Sequence, residues 1–471
     1  MPGFHVEHFG CRAARADGEA VSDHMRAAGL CEHAPSTADL VVVNTCSVTA
    51  EADRAARAFI RRVHRRNPEA RILVTGCYAQ RAPEELAQLA GVAAVVGNSH
   101  KALGPHIALG LAGVTPARTQ PPCLIPIESL TRASGTASAP IWADEHFAHS
   151  FIEETQLVPS GRTRPNLKIQ EGCSNRCTFC VIPQTRGSSR SLHPAAILKQ
   201  LEGFVAAGGK ELVLSGINLG RWGRDLDATR EPTGLPLTLP SLVRRILSDT
   251  ALPRLRLSSI EPMDWTSELI ELMAIHGGMR LARHAHVPLQ SGSDAVLHRM
   301  HRRYRPWHYI EKVEALTRSV GLEITIGADL MVGFPGETDG EFQKTVGLVR
   351  ALPFGYLHLF PFSPRPGTRG WALHAEDPVP RPVVEERMFI LRELAAEKAL
   401  THRRKFIGRE LEAVTLHTPP ELEFRNRTVA LTENFLPSEV EGRLPANRLV
   451  RLRVTGLNQD RTLRALLLSC G

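Results

Sequence analysis

Three times within its first 80 residues the chain runs an extended stretch directly into a cysteine and then into a helical stretch. Asp39-Leu-Val-Val-Val43 is a continuous apolar run, the pattern of a strand buried on both faces of a parallel sheet. It ends in Asn44-Thr-Cys46, and a helix rich in Ala and Arg follows, from about Ala52 to Arg66. Arg71–Thr75 repeats the pattern, ending in Gly76-Cys77 ahead of a helix around Pro83–Leu89. A weaker strand, Phe4–Phe9, ends in Gly10-Cys11 before a helix through Met25. Such alternation dictates an open parallel α/β sheet, in which ligands collect beyond the carboxyl ends of the strands. Cys11, Cys46 and Cys77 are therefore expected to converge on one edge, although 35 and 31 residues separate them. A lone free cysteine is most often a small buried residue. Three at equivalent positions favour a three-cysteine metal site. Cys31, Cys123 and Cys470 have no such setting.

A second set of three is tighter. Glu171-Gly-Cys-Ser-Asn-Arg-Cys-Thr-Phe-Cys-Val-Ile-Pro183 contains a C-x3-C-x2-C loop formed by Cys173, Cys177 and Cys180. Three thiolates on a short loop can hold three irons of a 4Fe–4S cube and leave the fourth open for a ligand. Structural zinc is the alternative, but it wants four ligands, and no fourth Cys or His lies nearby in sequence. Phe179, inside the last gap, suits a loop that covers a planar ligand.

At 471 residues the chain is too long for one core. The expected division is an N-terminal domain at 1–115, a linker at 116–164, a central domain at 165–400 and a small C-terminal domain at 405–470. A net charge of +8 and a pI near 9.2 favour a polyanionic partner. No secretory pattern and no apolar stretch of bilayer-spanning length is visible, so a cytoplasmic protein with reduced thiols and no membrane contact is expected.

From about Pro165 onward the alternation continues. Candidate strands are Asn166–Gln170, Glu211–Ser215, Arg254–Ser258, His284–Leu289, Leu322–Ile326 and Gly355–Phe360. Six parallel strands with intervening helices predict an incomplete (β/α)6 barrel whose sites lie at the strands' C-terminal ends. The cysteine loop follows the first strand, Ser215-Gly-Ile-Asn218-Leu-Gly220 the second and Gln290-Ser-Gly-Ser-Asp294 the fourth. Asp329-Leu-Met-Val-Gly-Phe-Pro-Gly-Glu-Thr338 carries the fifth into a glycine-proline turn. Each alone is compatible with turn chemistry. After a helix from about Val383 to Arg404, short β runs at Glu410–Leu416, Arg427–Thr432, Leu449–Gly456 and Thr462–Leu468 predict a small β-barrel. Arg443, Arg448, Arg451, Arg453, Arg461 and Arg464 suit a phosphate backbone. So does the run Arg57, Arg61, Arg62, Arg65 and Arg66 in the first domain. Solvation of a surface is the plainer reading of both.

The C-x3-C-x2-C spacing is the signature of radical S-adenosylmethionine (SAM) enzymes. Gly10-Cys11, Asn44-Thr-Cys46-Ser-Val-Thr49, Thr75-Gly-Cys77, the Cys173–Cys180 loop, Leu289–Asp294 with Met300 and Arg303-Tyr304, Val332–Thr338 and Phe360-Pro-Phe-Ser-Pro-Arg-Pro-Gly-Thr368 together resemble the methylthiotransferase family of these enzymes, nearly end to end and in the family's order. The resemblance implies two 4Fe–4S clusters, one on Cys11, Cys46 and Cys77 and one on Cys173, Cys177 and Cys180. It also implies SAM as methyl donor and radical source, an electron donor such as flavodoxin or ferredoxin, and a TRAM-like RNA-binding tail. The family inserts sulfur and a methyl group into an unactivated C–H bond, so the clusters and SAM carry the chemistry and no side chain is expected to be catalytic. Phe179, Ser215, Gly216, Asn218, Gln290 and Asp329 are the candidate cofactor contacts.

Within the family, Val48-Thr-x-x-Ala52-Asp53 is most similar to the MtaB type, which modifies threonylcarbamoyl-adenosine at tRNA position 37 to its 2-methylthio derivative. The isopentenyl-adenosine type (MiaB) and the ribosomal-protein type (RimO) depart from this element. A different class, a non-catalytic RNA-binding metalloprotein, leaves the open iron unexplained. One departure is local: the family's amides after the first cysteine are Ala14-Arg15 here, with Glu19 retained. No heptad or interface stripe is visible, and a monomer is expected.

Overall fold

Strand β3 (Leu40–Thr45) is buried at every residue. It lies at the centre of the first of two compact units into which the chain divides. The computed structural model describes residues 2–114, 138–147, 163–227 and 237–470. The first unit comprises Met1–Thr155, Glu171–Ser189 and Ser363–Thr368, and the second takes the remainder.

In the first unit β1 (Gly3–His8), β2 (Cys31–Glu32), β3, β4 (Arg71–Gly76), β5 (Val92–Gly97) and β6 (Ile141–Trp142) form one sheet in the order β2-β1-β3-β4-β5-β6, every pair parallel. Side chains alternate along a strand, so β3 feeds two cores. Val41 and Val43 pack with Phe59, Ile60 and Val63 of α2 (Ala50–Arg66). Leu40 and Val42 pack with Val21 and Met25 of α1 (Arg12–Ala27). Each such side chain contributes roughly 1.5–3 kcal/mol by leaving water. Thr49 starts α2 by accepting a hydrogen bond from Ala52 N at 3.2 Å, with Glu51 and Asp53 in the first turn. The expected helix at Pro83–Leu89 is preceded by a separate short one, α3 (Cys77–Arg81), and itself spans Pro83–Ala87. Most of the 116–164 connection, with Cys123, lies outside the described residues. Its described part includes β6, so this stretch adds a strand to the sheet.

The second unit holds β7 (Asn166–Glu171, its last residue counted with the first unit), β8 (Arg190–Ser191), β9 (Glu211–Gly216), β10 (Arg254–Leu257), β11 (His284–His286), β12 (Thr325–Val332) and β13 (Phe354–Pro361). β7, β9 and β10 pair in parallel, as do β11, β12 and β13. Parallel bridges Leu255↔Leu281 and Ser259↔His286 join the two sets, giving the six-stranded incomplete barrel in chain order. The fifth strand differs from its expected span: it begins at Thr325, not Leu322, and runs to Val332. Asp329 is therefore a strand residue, not part of the turn. Gly327 lies inside this strand and pairs across the sheet with Tyr356.

The chain ends in β14 (Glu410–Thr415), β15 (Arg427–Thr432), β16 (Pro437–Glu441), β17 (Leu449–Leu457) and β18 (Leu463–Cys470), closed into a barrel in the order β14-β15-β16-β18-β17. Along β17 Val450, Leu452 and Val454 enter the barrel core while Arg451 and Arg453 are exposed. β16 was not expected, because Pro437-Ser-Glu-Val-Glu441 shows only two inward residues. Among the described residues no helix is long and apolar enough to cross a membrane.

Candidate functional site

The first unit brings Cys11, Cys46 and Cys77 to the carboxyl edge of its sheet. Cys11 is the N-cap of α1, Cys46 follows β3, and Cys77 opens α3 directly after β4. Cys46 and Cys77 are buried and Cys11 is exposed. Burial pushes the Cys46 thiol up to about 12, and Cys77 and Cys11 add to the rise. A thiol so opposed by burial and by two neighbouring sulfurs forms its thiolate readily only beside a cation. The backbone is shaped to the same end. A Cβ on Gly10 (φ +131°) would lie 2.7 Å from Cys46 Cβ, and one on Gly76 (φ +97°) would lie 2.3 Å from Thr45 O. Both glycines bring a cysteine where a side chain would not fit.

Glycine also pinches the second loop. A Cβ on Gly172 (φ +69°) would lie 2.0 Å from Ser188 O, and Cys173 N donates to Gly187 O at 3.0 Å. Within the loop Asn175 N donates to Cys173 Sγ at 3.4 Å, and Cys180 N to Cys177 O at 3.1 Å. Cys173, Cys177, Cys180 and Phe179 are all half-buried. Among the described residues no three of His, Cys, Asp and Glu converge on a point fit for a single metal ion. A cube spreads three thiolates over three irons and asks for a wider cradle. The three-thiol donor set and the glycine-shaped backbone suit such a cluster in both loops.

A buried ionic knot joins the loops' surroundings. Arg186, six residues after Cys180, donates from Nε to Cys77 Sγ at 3.2 Å, and from Nη1 to Glu171 at 2.6 Å and Asp17 at 3.1 Å. Lys101 Nζ meets the same two carboxylates at 2.8 and 3.1 Å. Asn98 Nδ2 also donates to Cys77 Sγ, at 3.5 Å. Burial opposes the charge on Arg186, but Cys77, Glu171 and Asp17 outweigh it and hold the guanidinium well above its ordinary range. Hydrogen bonds to a ligating sulfur tune a cluster's potential. Sequence reasoning missed this knot, whose members lie up to 169 residues apart. The Ala14 departure has a local answer: Asn44 Nδ2 donates to the Ala14 carbonyl, and the Ala14 side chain is itself buried. Asp53 is likewise buried, holding Arg81 at 2.9 Å and Arg365 of the 363–368 segment.

The remaining candidates belong to the second unit and fall into two groups. Asn218 N donates to Gln170 Oε1 at 2.6 Å, a Cβ on Gly216 would lie 2.9 Å from Gln170 Cβ, and Ser215 Oγ donates to Leu167 O at 3.4 Å. Gln170 thus organises the end of β9. Across the barrel wall Gln290 N donates to Asp329 O at 2.7 Å, and Met331 N donates to Gln290 O at 2.9 Å. Gln290 sits at φ +63°, a conformation uncommon outside glycine, with its buried Oε1 unpartnered. Such strain and such an orphan acceptor both suit a polar ligand. Asp329 Oδ2 lies 3.1 Å from His286 Nε2. Burial pushes the Asp329 carboxyl up, but the His286 hydrogen bond, with His358 and Arg302 beyond it, outweighs burial and holds it below the ordinary carboxylate range. His286, Tyr356 and His358 were not singled out from sequence, although the His284-Ala-His286 alternation puts two imidazoles on one face of a strand.

Residues 3–97 match a family model described as an uncharacterized protein family, UPF0004, and residues 167–349 match the radical SAM superfamily. The chain is 35% identical to threonylcarbamoyladenosine tRNA methylthiotransferase MtaB of Bacillus subtilis (strain 168), over 93% of this chain and 90% of that protein. It is 30% identical to a tRNA-2-methylthio-N(6)-dimethylallyladenosine synthase of Thermus thermophilus, over 87% of this chain and 80% of that one. Among solved structures, the radical S-adenosylmethionine methyltransferase TsrM from Kitasatospora setae superposes with a TM-score of 0.47 at 16% identity, over 77% of this chain and 75% of that one. With two cysteine triads on a radical SAM framework and 35% identity to such a relative over 93% of its length, the chain belongs to the MtaB type of the radical SAM methylthiotransferase family.

Proposed function

We propose that this chain converts N6-threonylcarbamoyladenosine at tRNA position 37 into its 2-methylthio derivative. The observation that carries the reading is the bond from Arg186 to Cys77. The segment bearing the second triad puts a buried guanidinium on a sulfur of the first, so both triads belong to one folded unit. That pairing suits a reaction needing one cluster to open a C–H bond and another to hold the sulfur to be inserted. The nucleoside is the one named for the Bacillus subtilis relative.

In this reading Cys173, Cys177 and Cys180 hold a 4Fe–4S cube with an iron open to SAM, and Cys11, Cys46 and Cys77 hold a second. When bound, SAM and its cube supply a radical able to open an aromatic C–H bond, which no side-chain acid or base can do. The protein's own part is binding and orientation. Phe179 covers the cofactor beside its loop, Ser215, Gly216 and Asn218 offer backbone and amide groups, and Gln290 and Asp329 offer an acceptor and a carboxylate. Residues 1–115 carry the first triad, 165–400 bind SAM, and 405–470, a TRAM-like barrel, meet tRNA with the exposed Arg443, Arg448, Arg451, Arg453, Arg461 and Arg464. The protein works as a monomer in the cytoplasm and draws electrons from a flavodoxin or ferredoxin.

Mass spectrometry of tRNA nucleosides from the source organism, with and without the gene, tests the substrate. Loss of the 2-methylthio form with accumulation of its threonylcarbamoyl precursor is expected. Loss of an isopentenyl-type derivative instead would reassign the substrate, and no change would overturn the reading. Iron analysis after reconstitution tests the two cradles: about eight irons per chain, falling to about four in C77A, is expected for two cubes.

A further inference from the structure

Phe435 sits in the tight turn between β15 and β16 at φ +69°, which an aromatic residue holds only when its surroundings demand it. The surroundings are the N-terminal ends of the central strands. The Phe435 ring lies 4.4 Å from that of His284, the first residue of β11, and 5.5 Å from that of Tyr356. The Arg256 guanidinium stands 5.3 Å from its centroid and donates to Thr432 O at 3.2 Å. The neighbouring Glu433 and Asn434 are buried, the first paired with Arg283 at 2.5 Å and the second donating to Glu323 O at 3.2 Å.

From this seat a hydrogen-bonded ladder climbs the inner wall of the barrel. His284 Nε2 lies 2.7 Å from Tyr356 Oη, Tyr356 Oη lies 2.9 Å from His286 Nδ1, and His286 Nε2 lies 3.1 Å from Asp329 Oδ2. With a single ring proton on His286, one polarity satisfies every link. An ionised Asp329 needs a donor, so His286 carries its proton on Nε2 and presents a lone pair at Nδ1. Tyr356 must then donate to Nδ1, and its oxygen accepts from His284 Nε2. The carboxylate thereby sets the tautomer of His286, because the other tautomer would set a lone pair against it, and the Tyr356 hydroxyl holds the ring in the orientation that makes the bond. The ring reaches across only because residue 327 is glycine: a Cβ there would lie 2.0 Å from Tyr356 Cζ.

We infer that the Phe435 turn of the C-terminal barrel is a strut for the SAM-binding end of the central barrel, with His284, Tyr356 and His286 as positioning residues that aim Asp329. The inference rests on the reading of Asp329 as a SAM contact. It implies that an element of the RNA-binding barrel sets how well the cofactor is held. The test is equilibrium SAM binding to the reconstituted full-length protein, with tRNA affinity and thermal unfolding measured alongside. D329N and Y356F are each expected to weaken SAM binding about ten-fold, with tRNA affinity and the unfolding temperature of Y356F close to those of the parent. The Y356F/D329N double variant should bind no more weakly than D329N, since the hydroxyl acts only through the carboxylate. F435A should weaken SAM binding several-fold and F435L should restore most of it. SAM affinity unchanged in D329N would overturn the contact itself. A weakened D329N beside an unaffected Y356F would overturn the strut and leave the contact standing.

Discussion

Each unit buries a knot of charge, and the two are built on different balances. In the first, Lys101 and Arg186 face Asp17 and Glu171, cation for anion, and the guanidinium has an Nε to spare for Cys77. In the second, the fully buried Glu211 meets Arg256 at 2.7 Å, Arg164 at 3.0 Å and Arg254 at 3.6 Å. That excess of guanidinium is met by groups of the small barrel: Glu412 at 2.8 Å from Arg254, the Thr432 carbonyl, and the face of Phe435 between Arg164 and Arg256. A balanced knot is complete in itself and can lend a donor to the Cys77 sulfur. An unbalanced one recruits acceptors from the next domain, and so fastens that domain in place.

The sharpest way to break the contrast is to remove the single anion. E211Q leaves buried guanidiniums without their carboxylate and should cost about 3–5 kcal/mol, seen as a lowered denaturant midpoint. A loss under about 1 kcal/mol would mean that the arginines are solvated, as exposed pairs are.

Acid separates the second unit's groups next. Burial, then Lys405 and Arg403, hold His402 down to about 4 from an ordinary 6.5, and its Nε2 lies 2.8 Å from Thr325 Oγ1. Its folded value is the lower one, so its stabilisation is present above 6.5 and is lost as pH falls toward 4. The loss should approach about 3 kcal/mol, and H402N should flatten the slope. Burial would push the Glu211 carboxyl up, yet Arg256, Arg164 and Arg254 hold it down to about 2, so its contribution begins to fade only below the ordinary 4.5. Denaturation at pH 7, 5 and 4 distinguishes the two.

The smallest effect on stability is expected in the balanced knot. R186K keeps a cation for Asp17 and Glu171 but withdraws the Nε donor from Cys77, and should cost about 1 kcal/mol or less. Its signature is spectroscopic: if the first triad holds the cluster proposed for it, that cluster when reduced should show a shifted paramagnetic resonance and a lower midpoint potential. Identical spectra would make the Arg186–sulfur bond incidental.

What was legible in the sequence was what is local. Both triads, the glycines beside them and the order of the barrel strands follow from spacing and strand-to-helix alternation, which act over a few residues. The fifth strand begins and ends later than expected, and Gly327 within it is the clearance for the Tyr356 ring. Arg186 gave no warning because its partner sulfur lies 109 residues away. The ladder was hidden for a different reason. Histidine and tyrosine at alternate strand positions look like ordinary half-buried residues until β11, β12 and β13 are laid side by side.

The first unit collects its parts from far along the chain, its last segment ending at Thr368. On the ribosome, Cys77 therefore emerges long before Arg365 exists to meet Asp53. At roughly 5–20 residues per second the gap is on the order of half a minute. For that interval the first three thiols stand in an unfinished fold. Full assembly of the unit that carries both cysteine triads is thus a late event of synthesis, and a chain cut short in the central barrel would carry all six cysteines and still lack the segment that completes their unit.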